Sequence, residues 1–559
     1  MGHKSFWWVL LIGASMASAS ADTLFTNGVI YTLDEQSSTV SRLCVSKSGR
    51  LKSLEACEPI QKIDLSGQVV IPGFVEGHGH LMGYGEAQLN LNLATAKNLG
   101  ELVAQVAEAV DKAEPGEWIL GRGWHQSKWN ETPKMVDGFQ TNETLNGISP
   151  DNPVYLKHAS GHAAFVNDRA LAIAGIDEKT QVAGDGEIIR DPSGRATGVL
   201  NERAQNLVSR FVPALSRSQR ERALDLALEG LARVGITSFQ DAGASQDDIR
   251  LYQAFLNEDR LTTRVYAMIT GGDSDMLADW MQRGPLIGAG GGKLTVRSIK
   301  LVADGALGSR GAWLLEPYSD RAGHSGLPTM PVAEMSDISH LAYRNGFQVA
   351  IHAIGDRANR EVLDIFDALF DGRDRGVRFR VEHAQHLHPE DIPRFGQLGV
   401  IPSMQGIHMS SDRPWAIDRL GAERIASGAY MWKSLIESGA VLVNGTDVPV
   451  EPVNPFASYY ALVTRMTLAG YPEGGFEPSE RLNRETALKT YTINPAFGAF
   501  EEALKGSLEP GKVADFIVLD RDLMTVAPAD IADTKVLMTV MNGAMIYKAD
   551  SAMFQPEAP

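Results

Sequence analysis

Eight short apolar runs, spaced along the chain and separated by helix-like stretches, constrain this fold more than any other feature. They lie at 73–75, 236–239, 264–268, 296–301, 347–351, 379–382, 400–403 and 441–444. Each is rich in Val, Ile, Phe or Leu, and most are too short for a helix of ordinary length, so they read as buried strands. Amphipathic patterns lie between several of them, for example at 220–234 and 358–370. Repeated strand-then-helix units build a parallel sheet, and eight of them predict a closed (β/α)8 TIM-like barrel of the α/β class. An open doubly wound sheet is the alternative. In the barrel, side chains at the C-terminal ends of the strands would form the functional site.

The barrel accounts for 73–504 of the 559 residues. The gap after the first run is too long for one connection. It predicts an α+β insertion at about 100–225 after barrel strand 1. Both ends of the chain look different. Short β-type runs and tight turns fill 22–72, and the same texture returns at 505–559, with runs at 506–508, 515–519, 536–540 and 545–547. The two ends together predict one small β-sandwich domain. Residues 506–512 match most of a phosphate-loop pattern, but Val513 stands where Ser or Thr must hold Mg²⁺, and a strand follows instead of a helix.

The first 21 residues have the form of a secretory signal peptide. Lys4 precedes an apolar run at 6–12, and Ala17-Ser18-Ala19-Ser20-Ala21 offers small-residue cleavage sites. The run is far shorter than the about 18 residues that span a bilayer. A periplasmic or secreted protein is therefore expected, with no stable membrane insertion once the leader is removed. Cys44 and Cys57, the only cysteines, would then enter an oxidising space. They are expected on two strands either side of a turn at 46–50, as a disulfide or as two free thiols. Two cysteines are too few for a Cys-based zinc module. The net charge of −17 comes without any basic block, which argues against nucleic-acid binding. The chemistry points to a small-molecule substrate and leaves a homo-oligomer open.

Five polar residues sit where such a barrel would place its site. His78 and His80 are two apart, so in an extended segment both face the same way. His352 closes the fifth run, His383 the sixth, and Asp447 follows the eighth. Imidazole and carboxylate groups converging from different strands suit Zn²⁺ or a similar divalent ion. No H-E-x-x-H helix and no G-x-S-x-G elbow leading into a helix is present.

These residues resemble the metal-dependent amidohydrolase superfamily, the urease-like TIM-barrel hydrolases. Pro72-Gly73-Phe74-Val75-Glu76-Gly77-His78-Gly79-His80 is similar to the family's opening motif, with Glu76 where Asp is commoner. The segments 121–129, 160–167 and 300–310 resemble the branch that contains N-substituted formamide deformylases. The resemblance implies that His78, His80, His352, His383 and Asp447 ligate one or two divalent metals, for which the donor set suits zinc. It implies that Asp447 is also the catalytic proton shuttle. Lys300 matches a fourth-strand lysine that relatives carboxylate to bridge two metals; an ordinary lysine paired with Asp304 is the other reading. Trp124, His162, Asp304 and Arg310 are expected near substrate; the other readings are that Trp124 fills the core of the insertion, and that Asp304 and Arg310 only hold Lys300 and the loop. His125, His158, His386, His388 and His408 are expected on the surface or in supporting positions. The implied activity is hydrolysis of an N-acyl or N-formyl amide. A deaminase, a cyclic-amide or ester hydrolase, and a non-catalytic scaffold are the alternatives.

Overall fold

The computed structural model describes residues 22–182, 186–550, 552 and 554–557. The leader expected at 1–21 lies outside the described residues. All eight apolar runs are strands of one sheet: β1 (Phe74–Gly79), β2 (Ile236–Ala244), β3 (Arg264–Thr270), β4 (Leu294–Val302), β5 (Gln348–Ala353), β6 (Arg380–His383), β7 (Ile401–Met404) and β8 (Val443–Asn444). They follow sequence order, and every neighbouring pair from β1 to β8 is parallel. Nearly every residue in them is buried, as expected of strands covered on both faces.

The seam between β8 and β1 closes the sheet into a near-complete barrel. There is no continuous ladder across it. Instead the Asp447 N–H donates to the His78 carbonyl at 2.8 Å, and the His80 N–H donates to the Val448 carbonyl at 2.7 Å. Gly77 allows the close approach, since a Cβ there would lie 2.4 Å from the Asn444 carbonyl oxygen. Glu76 reaches across the same seam. Its carboxyl accepts from the Thr446 N–H at 2.6 Å and the Thr446 hydroxyl at 3.0 Å. Burial pushes its pKa up to about 8. The longer side chain at this position thus ties β1 to the loop after β8.

Between β1 and β2 the chain builds a six-stranded sheet of its own, in the order Glu187–Arg190, Ala196–Asn201, Ala163–Val166, Val154–His158, Ile119–Trp124 and Leu91–Asn92. One face packs on Leu102, Val106 and Leu145, the other on Leu171, Ala204 and Val208. Polar contacts join this unit to the barrel mouth. Arg122 donates to the Ala159 and Pro449 carbonyls, and Lys128 pairs with Glu451 at 3.0 Å. Helix Arg217–Arg233 then starts at a Ser216–Gln219 capping box and leads into β2.

The two chain ends share two further sheets. Asp22–Thr26 pairs with Pro59–Asp64, which pairs with Gln555–Glu557. Val69–Pro72 pairs with Phe516–Leu519 in the other sheet. One apolar cluster draws on both, and the Phe25 and Phe516 rings meet edge to face at 5.0 Å. Arg264 at the start of β3 grips Asp515 through two hydrogen bonds of 2.6 and 3.1 Å, both partners buried.

Two local expectations change, and one open alternative is settled. Residues 506–508 form no strand, because Gly506 at φ 94° turns the chain. Cys44 and Cys57 form a disulfide with Cα atoms 6.0 Å apart. Only Cys44 lies on a strand; Cys57 ends a short 3-10 turn past the hairpin, and Lys52 takes the place opposite Cys44. Among the described residues, no helix is long and apolar enough to cross a membrane.

Gly77→Ala should force the β1–β8 seam apart. A loss of about 1–3 kcal/mol is expected from overpacking of this kind, read as a lowered melting temperature; an unchanged melting temperature would contradict the tight seam.

Candidate metal centre

The structure brings His78, His80, Lys300, His352, His383 and Asp447 to one end of the barrel. His78 lies in β1, Lys300 in β4, His352 in β5 and His383 at the end of β6; His80 and Asp447 directly follow strand ends. His80 Nε2 lies 3.1 Å from Asp447 Oδ1, and His78 Nε2 lies 3.5 Å from the same oxygen. The His383 ring sits 4.7 Å from that of His78 and 4.5 Å from that of His352. His383 and Asp447 both hold left-handed backbone, at φ 74° and 57°. Such conformations cost of order 1–3 kcal/mol each and persist only where the surroundings impose them.

Buried partners fix which ring nitrogen faces the centre. His78 Nδ1 bonds to Glu382 Oε2 at 2.5 Å, with both side chains fully buried. Arg380 in turn donates to both oxygens of Glu382, and to Gly77 O and Ser403 Oγ. Burial would raise the Glu382 carboxyl, but Arg380 and then His78 hold it well below the usual range. An ionised Glu382 accepts from Nδ1–H, so His78 turns the lone pair of Nε2 toward Asp447. Gln405 Oε1 does the same for His383, accepting from Nδ1 at 2.7 Å.

The atoms left over fit a cation. His78 Nε2 and His352 Nε2 are buried and make no hydrogen bond, and buried Asp447 Oδ1 lies 3.1 Å from His80 Nε2. Such groups are costly unless something satisfies them. Burial pushes the pKa of His78, His352 and His383 down, which leaves neutral imidazoles with a lone pair to give. Burial would raise Asp447, yet its imidazole neighbours, His78 first and then His80 and His383, hold it well below the ordinary value. The ligand atoms of His78, His80 and Asp447 all lie within 4.8 Å of one another. Lys300 lines the same cavity, and burial lowers its pKa.

That cavity holds about 350 Å³, the size of a small-molecule site. His162 lines it, with Nδ1 2.9 Å from Glu202. The other three residues expected near substrate are placed elsewhere. Trp124 is buried in the core of the insertion and donates to the Leu156 carbonyl at 2.8 Å. Arg310 turns away to pair with Asp320 at 2.9 Å. Asp304 is fully buried behind His352. It accepts from the N–H groups of Trp313, Ile354 and Gly355, and so holds the turn after β5. His125, His158 and His408, expected on the surface or in supporting positions, also line the cavity. Sequence reasoning also missed Glu382 and Gln405. An acid inside an apolar strand run was the available signal for Glu382; Gln405 gave none.

A TIM-like barrel with such a cluster at its strand ends is the architecture of metal-dependent hydrolases. A sequence model described as "Amidohydrolase family" matches residues 61–547, and the chain belongs to that family. It is 33% identical to Protein LONG AFTER FAR-RED 3 of Arabidopsis thaliana, over 97% of this chain and 94% of that protein. It is 27% identical to the N-substituted formamide deformylase of Arthrobacter pascens, over 94% of this chain and 98% of that enzyme. Among solved structures, an uncharacterized metal-dependent hydrolase from Pyrococcus horikoshii OT3 superposes with a TM-score of 0.72 at 29% identity, covering 91% of this chain and 99% of that one. Family membership supports a hydrolase that uses divalent metal ions.

Gln405→Ala and Glu382→Ala each remove a group that orients a histidine. Each should weaken divalent-metal affinity by about 10–100-fold, measured by competition with a chelator. Unchanged affinity would show that the rings are held by other means.

Proposed function

We propose that the protein is an exported metal-dependent hydrolase of C–N amide-type bonds, acting on an N-acyl or N-formyl amide. The observation that carries this is the convergence of buried donor atoms, His78 Nε2 and His352 Nε2 without hydrogen bonds and Asp447 Oδ1 beside His80 Nε2, at a small-molecule cavity. His78, His80, His352, His383 and Asp447 would hold the metal, and zinc suits an imidazole-rich donor set. Bound divalent ions supply Lewis acidity, which acidifies water toward a pKa of about 7 and polarises the amide carbonyl.

The protein's own groups do the rest. Asp447, held ionised, accepts a proton from the attacking water and delivers it to the leaving nitrogen as the C–N bond breaks. The products are a carboxylic acid and an amine. His162, fixed by Glu202, faces the reacting group from the insertion side. Lys300 would serve as a further ligand once its neutral amine adds CO₂, forming an N–C bond and releasing a proton. Its burial supports this, because burial favours the uncharged amine that reacts. A two-metal site follows from that modification. The name of the Arthrobacter relative supports the bond class. The proposed domain division is a β-sandwich of 22–72 and 505–559, a barrel of 73–504, and an insertion near 100–225. The leader and the disulfide support a periplasmic or secreted location.

A panel of N-formyl, N-acyl and cyclic amides and esters tests the substrate class. Turnover of linear amides above the others is expected; preference for esters or cyclic amides would replace this reading. Chelation should abolish activity and Zn²⁺ should restore it. Asp447→Asn should lower kcat by about 10²–10⁴-fold in protein that remains folded; full activity would remove the shuttle role. Metal analysis of the wild type should give two ions per chain, falling in Lys300→Ala.

A further inference from the structure

The metal centre uses only the inner part of the cavity. Helix Gly406–Leu420 leaves the end of β7 and runs along the cavity wall. His408, Asp412 and Trp415 all line it, and spacings of four and seven residues put them on one helix face. The His408 ring stacks 6.2 Å from that of His383, so the first turn lies beside the metal centre. At about 1.5 Å per residue, Asp412 is about 6 Å and Trp415 about 10 Å farther along the axis. His125, Lys128 and His158 of the insertion also line this outer region.

The charges there are unevenly matched. Lys128 is paired with Glu451 at 3.0 Å. Asp412 accepts a hydrogen bond of 3.1 Å from the Ser411 hydroxyl and forms no ion pair among the described residues. The titratable groups that face it are Lys128, His408, Glu451 and Tyr430. Burial raises its pKa against the pull of Lys128, which is shared with Glu451, and of His408. Burial also pushes His125 and His158 down, so neither provides the missing positive charge. The His125 and Trp415 rings lie 5.9 Å apart and give the region aromatic walls.

We propose that Asp412 and Trp415 form a subsite for a cationic, amine-type group at the far end of the substrate. The inference rests on the amide-hydrolase reading and specifies its substrate class. A protonated amine satisfies the Asp412 carboxylate and lies beside the Trp415 ring, one face of which Arg419 already covers at 5.6 Å. Divalent ions held by the inner histidines and Asp447 would repel the same charge. Both effects turn the substrate one way, with its amide inward and its ammonium outward.

The test compares two amides of equal length on the metal-loaded full chain: the N-formyl derivative of 1,5-diaminopentane, which ends in an ammonium, and N-hexylformamide, which ends in a methyl. The wild type should favour the ammonium substrate by about tenfold or more in kcat/KM, which is about 1.4 kcal/mol. Asp412→Asn should bring the ratio close to one, and Trp415→Leu should lower it by a smaller factor. No preference in the wild type, or the same preference in Asp412→Asn, overturns the subsite. Calorimetry with 1,5-diaminopentane itself separates this from the hydrolase reading. If neither amide is cleaved but the diamine binds the wild type about tenfold more tightly than Asp412→Asn, the subsite stands and the reaction class falls. Equal binding overturns the subsite.

Discussion

The barrel's active end depends on one buried chain of charge: Arg380 to Glu382 to His78. Arg380 is wholly enclosed and spends its donors on Glu382, Gln240, the Gly77 carbonyl and Ser403. A buried cation and anion are costly to desolvate, and their mutual attraction compensates only when further hydrogen bonds satisfy them. Here they do, and the result is directional. The pair fixes one imidazole tautomer on β1 from a base on β6, across the barrel axis. The same guanidinium grips the Gly77 carbonyl, next to the seam where β8 meets β1. Closure of the sheet and orientation of a ligand atom are therefore one physical problem with one solution.

The insertion plays a complementary part. Its core is independent of the barrel, with Trp124 and Phe165 packed inside it. Its few polar links to the loop after β8 hold it against the mouth. It brings His125, His158 and His162 to a cavity whose floor belongs to the barrel. The cavity is thus lined by residues from units with separate cores. The floor is set by strand ends, which are rigid. The wall is set by a second sheet and one helix, which can vary without disturbing the floor.

The barrel was legible in the sequence because eight apolar runs with helical spacers leave few other folds. The candidate ligands were legible because each sits at the end of its own run. The surroundings of Trp124 and Arg310 were left open. A tryptophan in a strand reads alike whether it faces a cavity or a core, and an arginine's partner, Asp320, lies too far along the chain to be inferred. Gln405 was invisible because its role depends on register between β6 and β7, which no local pattern encodes. The disulfide's existence was left open by the sequence, and its partner position moved because Cys57 lies past the hairpin rather than within it. What sequence reads well is periodicity; what it reads poorly is which of two distant neighbours a polar group will meet.

The sheets built from both ends carry a consequence for synthesis. The Tyr31 hydroxyl bonds to Asp522, 491 positions later. At about 5–20 residues per second, the first strands wait roughly 25–100 s for their partners to be made. During that interval Pro59–Asp64 and Val69–Pro72 present unpaired strand edges, the kind that recruit other chains. Completion of the C-terminus is what covers them. A chain that stops early therefore advertises its own incompleteness, and the small sheets act as a seal that only a finished molecule can close.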